Sequence, residues 1–470
     1  MRKIRSMFVR RGGEPVVALL CFLVYAGVFG LFFGLMSINN WQLKNISRTL
    51  ATTLLTWGIM SVAMHSVYGG YEVGRKKSKP IIYNMTLGVL FTDLVTYLQM
   101  QIMNVNPNNQ ESLTLFGEDL PWLILCFFLQ AIIIAVLTRL GNEIYFRINP
   151  PKDCLIILGS MEHRDIIERK IGRYQLQWRV TDVALWDEDN LEERIDRVKV
   201  VFMADVPDEY RMPLLKLCYD LHRDVISRAT LQDIMLSSAQ QVVVDDAPFL
   251  EMDYHKITMS QRAVKRAMDV VLSFIVLIVL LPLLLIIAAA IKLDDGGPVL
   301  FRQRRMTGGG HDFSICKFRT MRVDEGHVQQ VSAGKDDPRI TRVGRFLRRT
   351  RLDELPQFWN ILMGDMTLVG PRPEMLENVE KYKMELPTFV YREKVKAGLT
   401  GYAQIEGRYN TLPEDKLMLD LMYIERFSVW EDIKLLLRTF TVLFKKDSTE
   451  GFDADTKQEA GKQENKQETI

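Results

Sequence analysis

"VVLSFIVLIVLLPLLLIIAAAI", Val270 to Ile291, carries no charge and a single proline. At a rise of about 1.5 Å per residue it is long enough to cross a hydrocarbon core of about 30 Å. Its flanks oppose a crossing. Arg262, Lys265 and Arg266 precede it, and Lys292, Arg302, Arg304 and Arg305 follow it. Basic flanks stay on the cytoplasmic side, so both ends want the same face. Pro282, near the middle, removes a backbone hydrogen bond and kinks a helix. A helix over 270–291 that dips into the membrane and returns satisfies both facts. The competing arrangement is an ordinary fifth span with a tolerated proline; the flanking charge favours re-entry.

Upstream, Val16–Met36, Leu50–Tyr68, Ile81–Met103 and Trp122–Leu140 read as four spans, the third interrupted by Asn84, Asp93 and Gln99. Arg2, Lys3, Arg5, Arg10 and Arg11 are too many for a cleaved signal peptide, and a small-residue cleavage site is missing. The next basic cluster, Arg75, Lys76, Lys77 and Lys79, lies between the second and third runs; residues 104–121 have no Lys or Arg. Both ends of a four-helix region over 1–145 therefore face the cytoplasm, and so does the chain beyond residue 145. Asp93 is an ionisable group inside a span, which is a functional hypothesis by default. The plainer reading pairs it inside the bundle with Asn84, Gln99 or a backbone donor.

Residues 146–255 read as a small Rossmann-like cytosolic domain. "CLIILGS" and "VKVVFMADV" are short buried-type strands, and "EYRMPLLKLCYDLH" has helical spacing. "LGSMEHRD" offers one glycine where a dinucleotide loop wants three, so a structural or regulatory role is expected there. The net charge of +2 over 470 residues gives no global attraction to a polyanion, and no nucleic-acid partner is expected. The five cysteines are scattered, without a CxxC pair, which speaks against a disulfide framework or a zinc site.

The chemistry concentrates after residue 291. Lys292–Leu352 holds fourteen Lys and Arg against seven Asp and Glu. Ile340, Val343 and Leu347 keep helical spacing while Arg342, Arg345 and Arg349 stripe another face. "RRTRLDELPQFWNILMGD", Arg348–Asp365, then sets Asp353 beside Glu354, and a helix is expected from Asp353 to near Gly364. Adjacent carboxylates do not suit a glycosidase, whose pair must flank a sugar across about 5–9.5 Å. A carboxylate nucleophile beside a metal-binding carboxylate fits better, with arginines and Mg²⁺ screening an anionic phosphorus.

These stretches resemble the bacterial sugar transferase family, the monotopic polyprenyl-phosphate phosphoglycosyl transferases. The likeness runs from Lys265 to about Val442 through "KRAMDVVLS", "IKLDDGGPVLFRQRRMTGGGHDFSICKFRTM", "DDPRITRVGRFLRRTRLDELPQFWNILMGDMTLVGPRPE", "GLTGYAQIEGRYN" and "LDLMYIE". The resemblance implies a mainly α catalytic domain over 256–446, membrane-anchored, with a re-entrant helix. It implies that Asp353 attacks the sugar-linked phosphate of a UDP-sugar and expels UMP. Undecaprenyl phosphate, held among membrane lipid, then takes the phosphosugar. Such a step begins exopolysaccharide, capsule or O-antigen synthesis at the bacterial cell membrane, with the catalytic domain in the cytoplasm. Glu354 matches the family's Mg²⁺-binding acid, and Lys317, Arg319, Arg372, Arg408 and Asp420 match its other active-site positions, assigned here to substrate phosphate. The sugar is not readable, and a homodimer is one open arrangement. Two departures stand out: Leu281 where many members have Ser before the kink proline, and Arg351 where the family has a small residue.

Residues 447–470, "DSTEGFDADTKQEAGKQENKQETI", read as a disordered tail. Two rival functions remain at this level. A non-catalytic membrane scaffold or sensor would not need an intact "LDELPQ", and a nucleotide-sugar oxidoreductase would need the missing glycine-rich loop.

Overall fold

The computed structural model describes residues 14–103, 117–252, 257–322, 337–407 and 411–442. Arg408 and the tail 447–470 lie outside them. The chain forms two compact units, Met1–Arg228 and Ala229–Ile470.

The first unit opens with four helices, α1 (Glu14–Met36), α2 (Arg48–Tyr68), α3 (Ser78–Ile102) and α4 (Leu120–Ile148). Each is long and apolar enough to cross a membrane. They cover the four runs read from the sequence. Val24, Val28, Ile81, Met85 and Ile134 meet in their core, while Phe22, Leu55 and Ile132 point outward and are 58–68% exposed. Apolar side chains outside as well as inside are what a lipid solvent permits. Asp119 ties one end of the bundle, accepting from Asn39 (3.1 Å), Asn40 (3.2 Å) and Gln101 (3.3 Å). Asp93 takes the Trp57 indole N–H at 3.2 Å. Asn84 instead donates to the Tyr68 carbonyl, and Gln99 to Thr52 and Met103.

A parallel sheet follows, β1 (Lys152–Leu158), β2 (Trp178–Leu185), β3 (Val200–Ala204) and β4 (Asp224–Ser227), in the order 2-1-3-4. Helices α5 (Arg164–Gly172), α6 (Leu191–Asp196) and α7 (Asp208–Asp220) connect the strands. Leu155 and Ile157 of β1 enter one core and Cys154, Ile156 and Leu158 another. Alternate residues thus pack against opposite layers, as a doubly wound sheet requires. The lone glycine of the β1 loop has a packing reason. A Cβ on Gly159 would lie 1.7 Å from the Asp205 carbonyl oxygen.

The second unit begins at Ala229. Helix α8 (Leu231–Leu236) places Ile234 in the core of the second unit, and the hairpin β5 (Gln240–Val244) and β6 (Ala247–Glu251) comes next. Helix α9 (Met259–Asp295) is then a single 37-residue helix with Pro282 inside it, opened by a Thr258–Gln261 capping box. The hairpin β7 (Leu300–Met306) and β8 (Asp312–Phe318) leads to α10 (Arg342–Thr350), α11 (Gln357–Met363) and β9 (Thr367–Val369). Helix α12 (Leu376–Glu385), β10 (Gly398–Thr400, parallel to β9), α13 (Tyr402–Glu406), α14 (Pro413–Glu425) and α15 (Val429–Val442) complete the unit.

Both ends of α9 dock on this same unit. Near its start Lys265 reaches Asp432 (2.6 Å) and the Val369 carbonyl (2.9 Å). Arg266 caps the last carbonyls of α11, those of Ile361 and Leu362, both at 2.7 Å, where a cation is favoured by the helix dipole. Asp269 accepts from Thr367 Oγ1 (2.8 Å) and Leu368 N–H (3.0 Å). Near its end Ile287 and Ile291 pack with Phe318 and Leu347, and Asp295 pairs with Arg319. Between them Phe274, Ile278, Val279, Leu281, Leu285 and Ile286 are exposed.

The helix expected from Asp353 opens later, at Gln357. Leu352–Glu354 is a separate 3₁₀ turn. Arg351 ends α10 in the left-handed region (φ 58°), which turns the chain out of the helix, and Pro356 lacks the N–H that would extend α11 backward. Arg342, Arg345 and Arg349 are exposed opposite buried Leu347, and Ile340 lies before α10.

Candidate active site

The 3₁₀ turn carries Asp353 and Glu354, β8 carries Lys317, and the loop after β9 carries Arg372 between Pro371 and Pro373. Side chains alternate across a strand, so the spacing in β8 buries Cys316 and Phe318 and turns Lys317 toward the turn. Glu354 Oε1 accepts from Lys317 Nζ at 3.1 Å and from Arg372 Nη2 at 2.8 Å. Asn360 of α11 fixes the scaffold behind them. Its amide accepts from Cys316 N–H and donates to the Ser314 carbonyl, both at 2.9 Å.

The two carboxyls are driven apart electrostatically. Burial alone would raise the Glu354 carboxyl, but Arg372, Lys317 and Arg351 hold it well below the usual range. Asp353 is pushed up to about 6, by burial first and then by the charge of Glu354, against Lys317 and Arg348. No side-chain hydrogen bond or ion pair engages Asp353 among the described residues. One carboxylate is thus paired, and its neighbour is not.

Arg372 is itself positioned from behind. Its main-chain carbonyl accepts from Arg392 Nη2 at 2.8 Å, and Arg392 pairs with buried Asp420 at 2.7 Å. Asp420 is raised to about 6 by burial, with Arg392 opposing. Arg305 donates to the Pro373 carbonyl at 3.2 Å and to Gln303 at 2.6 Å. Burial lowers the Arg305 guanidinium to about 10, with Arg372 adding to the effect.

Of the residues expected from the sequence, Asp353, Glu354, Lys317 and Arg372 come together. Asp420 stands one guanidinium behind them. Arg319 is 7% exposed and engaged with Asp295 at the end of α9, where a Cβ on Gly297 would strike its guanidinium. Arg392 and Arg305 were missed. Arg305 shares a strand face with Gln303, a period-two signal that could have marked it; Arg392, in a 3₁₀ stretch, offered no periodic cue.

Residues 260–446 match the bacterial sugar transferase family. A UDP-glucose:undecaprenyl-phosphate glucose-1-phosphate transferase of Caulobacter vibrioides is 43% identical over 189 residues, 39% of this chain and 71% of that protein. The chain belongs to the bacterial sugar transferase family. The protein of the same description in Escherichia coli (strain K12) is 46% identical over 183 residues, 38% of this chain and 39% of that protein. The galactosyl transferase CpsE of Streptococcus agalactiae serotype III is 39% identical over 196 residues, 39% of this chain and 43% of that protein. The family match lies within the second unit, and the aligned stretch covers about two fifths of the E. coli relative.

Among the described residues no group of three His, Cys, Asp or Glu could hold a metal ion unaided. Mg²⁺ keeps several waters and takes one or two carboxylates together with substrate phosphate oxygens. Glu354, held charged and carrying a second oxygen beside the one bound by Lys317 and Arg372, fits that donor set.

Proposed function

We propose that the second unit transfers a sugar 1-phosphate from a UDP-sugar to undecaprenyl phosphate and releases UMP, as a first membrane step of exopolysaccharide, capsule or O-antigen synthesis. The observation that carries this reading is the split carboxylate pair, Glu354 held by Lys317 and Arg372 beside an Asp353 whose side chain is unpaired among the described residues. Curated relatives described as undecaprenyl-phosphate sugar phosphotransferases supply the substrate classes.

An ionised Asp353 Oδ attacks the phosphorus that bears the sugar. A P–O bond forms, the bond to the UMP oxygen breaks, and UMP leaves with the electron pair. A phosphate oxygen of undecaprenyl phosphate then attacks the same phosphorus, and the Asp353 carboxylate leaves unchanged. Lys317 and Arg372 sit where they would balance the charge of the transferring phosphate. Mg²⁺ on Glu354 would supply Lewis-acid stabilisation of the diphosphate. Asp420 acts through Arg392 on the Arg372 loop, and Arg319 anchors α9.

One substrate is water-soluble and the other is confined to lipid, so the site must sit at the interface. A re-entrant α9, at the bacterial cell membrane with the site facing the cytoplasm, meets that need. What supports it is the docking of Arg266 and Ile291 on one scaffold. Twenty-five residues of straight helix would carry them about 37 Å apart, whereas α11 and β8 are bridged by the single side chain of Asn360.

Incubation with UDP-glucose, UDP-galactose or their N-acetylated analogues, without lipid acceptor, tests the covalent step. A phosphosugar mass is expected on the peptide containing Asp353; an adduct on another residue would overturn the assignment.

A further inference from the structure

The buried carboxylate of α3 has no part in this chemistry and is only half satisfied. Asp93 is 2% exposed, accepts from Trp57 through Oδ1, and leaves Oδ2 buried without a hydrogen-bond partner among the described residues. That side chain lines a cavity of about 30 Å³ together with Tyr25, Trp57, Ser61, His65, Asn84 and Thr92. A space above about 10–15 Å³ with polar partners is large enough to take a water. His65 Nδ1 and the Tyr25 hydroxyl are joined at 2.9 Å, toward the end of α2 that leads to the Arg75–Lys79 cluster. The titratable groups facing Asp93 are Tyr25 from α1, His65 from α2 and Cys126 from α4, with the neutral amide of Gln130 beside it. No Lys or Arg is among them.

An isolated carboxylate charge inside an apolar bundle is costly, and such groups neutralise instead. We propose that Asp93 is an intramembrane proton-binding site. Its Oδ2 carries a proton at neutral pH and donates it into the cavity. Water there, with the His65–Tyr25 pair, exchanges that proton with solvent at the basic end of the bundle. The step is a plain transfer, hydronium and carboxylate giving water and carboxylic acid. A small metal cation is the other ligand a lone carboxylate could attract, and one oxygen with a few hydroxyls is a poor cage for it.

Infrared spectra of the full-length protein in lipid nanodiscs test this without any activity assay. The wild type should show a protonated-carboxyl C=O band at neutral pH that shifts in D₂O and is lost in Asp93→Asn. Asp93→Glu should keep a band at a changed frequency, which covers the case of an Asn variant that does not fold. His65→Phe should keep the band and slow its shift in D₂O severalfold. An identical band in wild type and Asp93→Asn would overturn the proposal. So would a wild-type band abolished by Na⁺ at constant pH, which would make the site a cation site. Unchanged exchange in His65→Phe would overturn the His65 route.

Discussion

Asp420 reaches Arg372 through one buried guanidinium. Arg392 Nη2 pairs with the Asp420 carboxylate at 2.7 Å and donates to the Arg372 carbonyl at 2.8 Å. The Arg392 plane also lies 4.7 Å from the Phe389 ring centroid, so both sides of the link are fixed.

Asp420→Asn should therefore weaken both fold and turnover. Removing one partner of a buried pair costs about 3–5 kcal/mol, and a shift of the Arg372 loop, under the proposed function, can cost on the order of a hundredfold in rate. Thermal melting and kcat check this, and Asp420→Glu should recover part of both. A variant with unchanged kcat would remove Asp420 from the positioning chain.

In the proposed reaction the pH profile is set by Asp353. Attack needs the ionised form, and the group sits at about 6, so turnover should fall as pH drops through that value. The stability sign is opposite. An acid raised from 3.8 to about 6 holds its proton longer in the folded state, so the penalty builds as pH rises from 3.8 and is complete above about 6. Asp353→Asn should abolish turnover yet melt higher than wild type above pH 6, the advantage vanishing toward pH 3.8.

Glu354→Gln should behave the other way. Its depressed carboxyl contributes stability that is present above the ordinary value of 4.5 and lost as pH falls further. Gln leaves Lys317 and Arg372 without their anion, so melting temperature drops at neutral pH. Turnover and Mg²⁺ dependence should be lost together. An unchanged Mg²⁺ requirement would rule Glu354 out as the ligand.

Topology is tested with single cysteines in a cysteine-free chain. Under the re-entrant reading, Asp312→Cys, beyond α9, stays protected from impermeant thiol reagents in intact cells. Asn45→Cys, between α1 and α2, should label. Pro282→Leu should shift part of the population toward spanning, seen as new external labelling at residue 312.

Runs of apolar residues and their charged flanks made the membrane helices legible, because length and charge are one-dimensional properties. The strand pattern of "CLIILGS" likewise announced a sheet buried on both faces. Asp353 and Glu354 were legible as neighbours, and Lys317 and Arg372 through the motifs around them. What the sequence concealed was the division of labour. The left-handed Arg351 that separates α10 from the turn has no propensity signature, since non-glycine residues seldom adopt it. Arg319 stands two residues from Lys317 with the same charge, yet only the closure of Gly297 over it commits it to Asp295.

The apolar midsection of α9 has a practical consequence for anyone shortening this chain. A fragment beginning at Ala229 discards the four long apolar helices α1 to α4, yet it keeps Phe274, Val279, Leu285 and Ile286 uncovered. A contiguous patch of that kind drives self-association in water. Such a fragment would still need detergent, and its gel-filtration behaviour would report the micelle as much as the protein.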